Sequence, residues 1–345
     1  VRDLTTLPKT HLHLHFTGSM RPATLAELAD EAGVRLPPAL LDGVALRVPA
    51  SERGWFRFQR LYDAARAVVR SEAAMRRIVR EAAEDDAAEG SRRLEIQVDP
   101  TSYAPFVGGL TPALEIVLDE ARSASRATGV EVAVVVAASR MRHPLDARTL
   151  ARLAVHHQPD GVVGFGLSND ERRGDTSLFA GAFSIARRAG LASLPHGGEL
   201  LGPDHVRDVL AHLGPTRLGH GVRLADDLSL LEKVTEAGIT LELAPASNVA
   251  LGVYPTAADV PLRRLFEAGA QIALSADDPL LFVSRLADQY RIAREDHGMD
   301  DAQLAELARM SVRGSLASEA SKRRWLAEID DWLAAPAAPP SGPTV

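Results

Sequence analysis

Pro8-Lys9-Thr10-His11-Leu12-His13-Leu14-His15-Phe16-Thr17-Gly18-Ser19 sets three histidines two residues apart with leucines between them. Successive side chains of a strand point to opposite faces, so residues two apart share one. The alternation predicts a strand over 10–16 with His11, His13 and His15 on one face, pointing inward if Leu12 and Leu14 point outward. A His-x-His pair at a strand end can place two imidazoles on one metal ion.

Downstream, short apolar runs alternate with longer amphipathic stretches, the pattern of βα units. Seven more strands are expected at 94–98, 131–137, 162–167, 192–196, 217–220, 240–244 and 271–276. Several are continuous apolar runs, as suits parallel strands covered on both faces. Helices are expected between them, for example over 178–189, 204–213 and 227–237. The fold class that follows is α/β, a (β/α)8 TIM-type barrel with its site at the C-terminal mouth. About 75 residues separate the first two strands, too many for one crossover. Segments 22–33 and 56–90 read as helices there, so residues 17–93 are taken as a helical insertion at the mouth. Residues 1–333 are read as a single metal-dependent hydrolase domain, and the Ala/Pro-rich tail 334–345 as disordered.

The bulk composition sets bounds. The 345 residues carry 39 Lys and Arg against 46 Asp and Glu, a net charge of −7, which argues against a nucleic-acid partner. Cys is absent, which excludes disulfides, a thiolate nucleophile and Cys-ligated zinc. No leader and no apolar run long enough for a bilayer is read, so a cytoplasmic protein without a membrane partner is expected. The oligomeric state is not legible.

Three further motifs close predicted strands. Pro195-His196-Gly197-Gly198-Glu199 supplies an imidazole and, three residues on, a carboxylate. Gly219-His220-Gly221 places a histidine where its neighbours offer no side chain to pack on it. Ser275-Ala276-Asp277-Asp278-Pro279 puts two adjacent carboxylates after a buried run, a costly placement unless a cation or donor meets them. One of the two could cap the helix that Pro279 begins. These motifs and the histidine strand end the first, fifth, sixth and eighth strands, where barrel enzymes assemble their sites. Three histidines and one aspartate make a nitrogen/oxygen metal set, leaving Glu199, His220 and Asp278 for acid–base and binding work.

Taken with Pro245-Ala246-Ser247-Asn248 and Asp170-Glu171, this ordered set resembles the adenosine/AMP deaminase branch of the amidohydrolase superfamily over nearly the whole chain. The resemblance implies one Zn²⁺ per chain on His13, His15, His196 and Asp277. It implies Glu199 as the proton donor to purine N1, with His220 and Asp277 orienting and deprotonating the attacking water. It places His15, Thr17, Asn169 and Asp278 at the substrate, with Asp278 on N7. The sequence departs from the family at four positions. His11 stands where Glu is usual and is left out of the ligand set. Thr17 replaces an Asp that binds the ribose 5′-hydroxyl, Asn169 a Gly, and Gln97 an Arg. Cytidine-deaminase-type zinc sites need Cys, and two-metal amidohydrolases use a lysine on the fourth strand, where 162–167 has none.

The function expected is zinc-dependent removal of the 6-amino group of an adenine nucleoside, either adenosine or a 5′-modified adenosine such as 6-aminodeoxyfutalosine. Free adenine and AMP are the alternatives within the family. A phosphate would want a basic cluster at the mouth, and Arg57 and Arg60 alone do not make one. A catalytically dead nucleoside-binding barrel would lack a ligand or Glu199, and none is missing. Amide or ester hydrolysis would have no use for a ring-nitrogen proton donor. The aromatic set Trp55, Phe56, Phe58 and Tyr62 is expected either to cover a 5′ substituent or to pack as helix core.

Overall fold

Parallel pairing of every sequential neighbour organises the chain. In a computed structural model describing residues 2–336, the strands are β1 (Lys9–His15), β2 (Ser91–Val98), β3 (Glu131–Ser139), β4 (Val162–Ser168), β5 (Ala192–Gly197), β6 (Arg217–His220), β7 (Thr240–Leu243) and β8 (Gln271–Leu274). Their order is β1 to β8 with no strand out of sequence, the arrangement of a (β/α)8 barrel. The ring closes through Asp277: its N–H donates to the His13 carbonyl at 3.2 Å, and the His15 N–H donates to its carbonyl at 3.0 Å. The residue that closes the barrel is therefore also one that the family resemblance places at the metal. Ladder pairing in β8 stops at Leu274, short of the expected 276, and the Ala276 N–H instead donates to His11 Nε2 at 3.0 Å.

Between β1 and β2 lie the helices α1 (Pro22–Ala32), α2 (Glu52–Arg66) and α3 (Glu72–Ala88). The single helix expected over 56–90 is thus two. Val68 and Val69 turn into the core at the break, and Ser71 starts a new helix by accepting a hydrogen bond from the Ala74 N–H. Helix α3 packs on β2 and on the helix Leu110–Thr128, in the outer ring. Helix α2 instead turns one face to the barrel mouth. The tail expected from 334 lies, from 337 onward, outside the described residues; Ala334 ends the last helix. No helix among the described residues is long and apolar enough to cross a membrane.

The barrel interior beneath the mouth carries charge. Arg93 Nε donates to Glu95 at 2.6 Å, Arg217 Nη2 donates to the other Glu95 oxygen at 2.6 Å, and Arg217 Nε donates to Glu242. Strands β2 and β6 are not neighbours, so the Glu95–Arg217 contact crosses the barrel. Each of these residues is at most 6% exposed. Attraction to Arg217 and Arg93 holds Glu95 down to about 2 against the cost of burial. A buried pair is weak grounds for net stability, but removing one partner strands the other. Arg217→Met should therefore lower unfolding free energy by about 3–5 kcal/mol, read from denaturant midpoints. A loss below about 1 kcal/mol would mean that Glu95 and Glu242 find water or protons instead.

Candidate active site

The ends of β1, β5, β6 and β8 bring four imidazoles and three carboxylates into one buried cluster. Ring centroids of His13 lie 5.0 Å from His15, 4.7 Å from His196 and 5.0 Å from His220. Ligating atoms of His13, His15 and His196 fall within 4.8 Å of one another, and so do those of His13, His220 and Asp277. Asp277 Oδ1 sits 3.2 Å from His15 Nε2 and 3.5 Å from His13 Nε2. His13 Nε2 and His196 Nε2 are buried without a hydrogen-bond partner. Such orphaned nitrogens are costly unless something meets them, and a divalent ion would. On its other side His13 Nδ1 lies 2.7 Å from Glu242 Oε2, the carboxylate–imidazole support typical of a metal-bound histidine.

Close packing at the strand ends requires particular backbones. A Cβ on Gly18 would meet Asp278 Oδ1 at 1.8 Å, and one on Gly219 would meet the His196 and His13 rings at 2.8 and 2.9 Å. His220 and Asp277 adopt φ of +68° and +63°, a left-handed conformation costly for these residues and typical of functional positions. Asp278 occupies the N-cap of the short helix Pro279–Phe282 but makes no capping hydrogen bond, and its Oδ1 has no partner. The capping role open to it in the sequence is not taken up, which leaves the carboxyl facing the cavity.

Burial divides the titrating groups. It raises the Glu199 carboxyl well above the usual range, and the negative charges of Asp277 and Glu171 add to this. Asp278 is raised likewise, by burial and then by Asp277. Asp277 goes the other way: the adjacent His13 and His15 imidazoles outweigh burial and hold it well below the usual carboxylate range. Burial brings His220 down to about 4, so its imidazole is neutral. Its Nε2 lies 3.6 Å from Glu199 Oε2. The cluster thus offers a protonated carboxylic acid, an ionised carboxylate and a neutral imidazole around one buried cavity, the separation of acid from base that proton-transfer chemistry needs.

The model of the adenosine deaminase family matches residues 8–332. The chain belongs to the adenosine deaminase family. A Streptomyces coelicolor protein named "Putative adenosine/adenine deaminase" is 63% identical over 97% of this chain and 99% of its own. An adenine deaminase of Agrobacterium fabrum is 32% identical over 94% and 98%. The crystal structure of adenine deaminase from Arthrobacter aurescens superposes with a TM-score of 0.87 at 27% identity, covering 96% of this chain and 99% of that one. The protein is accordingly a deaminase that hydrolyses the exocyclic C–N bond of an adenine-type cyclic amidine.

Where the sequence departs from the adenosine deaminase pattern, the structure gives reasons. His11 does not share the face of His13 and His15, contrary to the strict alternation expected. The β1–β2 register slips between His11 and Leu14, and the His11 ring is held between Asp86, 2.9 Å from Nδ1, and the Ala276 N–H. It is structural. Asn169 has φ +84° and lines the cavity; Asn tolerates the left-handed conformation that Gly adopts freely, so the backbone path is kept. Gln97 Nε2 lies 3.1 Å from His13 Nδ1. Thr17 is fully buried, and its hydroxyl is 2.5 Å from the Tyr103 hydroxyl. Thr17 is not among the residues that line the cavity, whereas Tyr103 is.

Beyond the polar cluster the cavity is walled by Trp55, Phe58, Gln59, Tyr62 and Arg66 of α2, one helical face at spacings of three and four. Phe58 also stacks on Phe282 at 5.8 Å, so it packs as helix core as well as lining the cavity. Phe56 is 63% exposed and outside the cavity wall; Arg57 and Arg60 point to solvent. Glu242 was overlooked in the sequence although it carried a signal, a single carboxylate in the apolar strand Thr240-Leu241-Glu242-Leu243. Tyr103 carried none, since it lies in an irregular segment after β2.

Proposed function

We propose that the protein deaminates an adenine nucleoside, adenosine or a 5′-modified adenosine such as 6-aminodeoxyfutalosine, to the 6-oxopurine and ammonia, with one zinc ion on His13, His15, His196 and Asp277. A bound divalent ion of this kind supplies Lewis acidity, bringing the pKa of water from ~15.7 toward about 7. The nitrogen-rich donor set suits zinc. Glu199 gives its proton to N1 as the water oxygen bonds to C6, so that charge moving onto the ring is neutralised as it forms. Asp277, with His220 beside it, takes a proton from that water and returns it to the amino nitrogen. The C6–N6 bond then breaks, ammonia leaves, and the remaining hydroxyl proton restores Glu199. Asp278, kept neutral by its surroundings, donates to N7.

The observation that carries the nucleoside reading is the chamber beyond this cluster. A free base would reach the polar residues and leave the α2 face and Tyr103 without contact. Thr17 decides the far end. A buried carboxylate there would demand a 5′-hydroxyl donor, whereas the Thr17 hydroxyl is already satisfied by Tyr103. Substrates lacking a free 5′-hydroxyl, or bearing a larger group there, should be turned over at least as well as adenosine. Adenine remains the second reading, because relatives at 32% identity are named adenine deaminases. The test is kcat/KM for adenine, adenosine, 5′-deoxyadenosine, bulkier 5′-substituted adenosines and AMP, followed by loss of the aminopurine absorbance and repeated in Thr17→Asp. A wild-type preference of ~10²-fold for adenosine over the 5′-modified series, the signature of a paired hydroxyl, would remove the 5′-modified reading. An equal preference for adenine would move the assignment to the free base.

A further inference from the structure

Glu171 follows β4 and is 2% exposed, yet it is not among the residues that line the cavity. Its carboxylate accepts three backbone N–H groups in succession from the loop after β5: Glu199 at 3.1 and 3.2 Å from its two oxygens, Leu200 at 2.9 Å and Leu201 at 2.9 Å. That loop has no ladder of its own at these residues, and the helix Pro203–Leu213 has not begun. Buried backbone donors must find partners, and one side chain supplies all three. The strand end below is held as well. Arg140, also buried, donates from Nη2 to the His196 carbonyl at 3.2 Å and from Nη1 to Thr176 Oγ1 at 3.0 Å. His205 Nδ1 stands 3.7 Å from Glu171 Oε2 and has no hydrogen-bond partner. Glu171 is itself delivered by a tight turn: Asn169 Oδ1 accepts from the Asp170 N–H at 2.8 Å, and Asp170 holds Arg172 at 2.7 and 3.1 Å.

Resting on the acid role given to Glu199 above, we propose that Glu171 is the positioning residue for that acid: its carboxylate gathers the 199–201 amides and fixes the turn that aims Glu199 into the cavity. The loop geometry links the two residues directly. The backbone N–H of Glu199 is the first amide that Glu171 binds, two bonds from the side chain that must reach N1. Gly198, just before it, has φ +75°; the chain reverses there, and the hydrogen bond from the Arg223 N–H to the Gly198 carbonyl is the last before the three amides that Glu171 gathers. A misplacement of about 1 Å in a reacting group can cost ~10²-fold in rate.

The expected result for Glu171→Ala is a fall in kcat of about 10²-fold, with KM within about threefold and the metal content unchanged. Glu171→Gln keeps an acceptor for at least two of the amides and should recover to within about tenfold of wild type. A merely structural role would lower stability or metal content and leave the kcat of the folded, loaded fraction alone. The deciding measurement is a double-mutant cycle. In a Glu199→Gln background, Glu171→Gln should change kcat by less than about twofold, because the group it positions no longer transfers a proton. Additive losses would overturn the proposal, as would a Glu171→Ala enzyme with kcat within about threefold of wild type. If Glu171→Ala does not fold, the Gln cycle decides alone. Glu199→Gln by itself reads the underlying assignment: near-normal kcat there removes the acid and the positioning role together. A large loss there with additive Glu171 effects removes the positioning role only.

Discussion

His13→Ala is expected to lose the metal and all measurable turnover with it. Among the proposed ligands His13 is the most enclosed: it is fully buried, its ring lies about 5 Å from three other imidazoles, and its Nε2 has no partner. Burial alone would disfavour the cation, yet the neighbouring carboxylates of Asp277 and Glu242 raise the imidazole to about 10. A neutral imidazole beside a divalent ion resolves that conflict, with Nδ1–H given to Glu242 and the lone pair of Nε2 to the metal. Alanine removes one donor of four and also leaves Glu242 and Asp277 facing an apolar gap. Even disturbing a supporting residue costs ~10–100-fold in metal affinity or activity, so losing a ligand should cost well beyond that. Elemental analysis should find one equivalent of zinc per chain in the wild type and less than about 0.1 in the variant. Chelation should abolish activity and zinc should restore it. Two equivalents in the wild type, or full activity in metal-free protein, would sink the ligand set.

Much of this centre was legible in the sequence because its parts are local. Each ligand or acid ends a short apolar strand, and a parallel barrel brings all strand ends to one mouth; knowing the strands therefore nearly amounts to knowing the site. His13, His15, His196, Glu199, His220, Asp277 and Asp278 meet for that reason. What the sequence hid depends on register and on long-range pairing. The period-two rule put His11 with its neighbours, and a slip in the β1–β2 ladder took it to Asp86 instead. The split between α2 and α3 hangs on Val68 and Val69 turning inward, which periodicity alone does not foresee. Tyr103 meets Thr17 across 86 residues, and Glu171 meets the 199–201 loop across about thirty. Neither pairing leaves a trace in spacing. The far end of the pocket was accordingly the least readable part: its walls come from an insertion and an irregular loop, where no repeating geometry links sequence to position.

Glu199→Gln should retain the metal and lose at least ~10²-fold in kcat, the usual worth of a positioned general acid. The two side chains have nearly the same shape, so the comparison isolates the proton. A glutamine can still donate a hydrogen bond to N1 from its amide, but it cannot hand the proton over as C6 becomes tetrahedral. The surroundings fit a group whose protonated form does the work: burial, Asp277 and Glu171 all favour the neutral acid. Glu199 also belongs to none of the proposed ligand positions, so metal content should stay near one equivalent and separate this variant from His13→Ala. KM should move little, since the proton reaches N1 only as the transition state forms. A nucleoside analogue with a hydroxyl-bearing tetrahedral carbon in place of C6 gives the same argument from the ligand side. It should bind the wild type ~10²-fold or more tighter than substrate, and most of that advantage should vanish in Glu199→Gln, where the acid that meets the ring nitrogen is gone. Near-normal kcat in the variant, or an undiminished advantage for the analogue, would mean that the ring nitrogen is protonated from elsewhere.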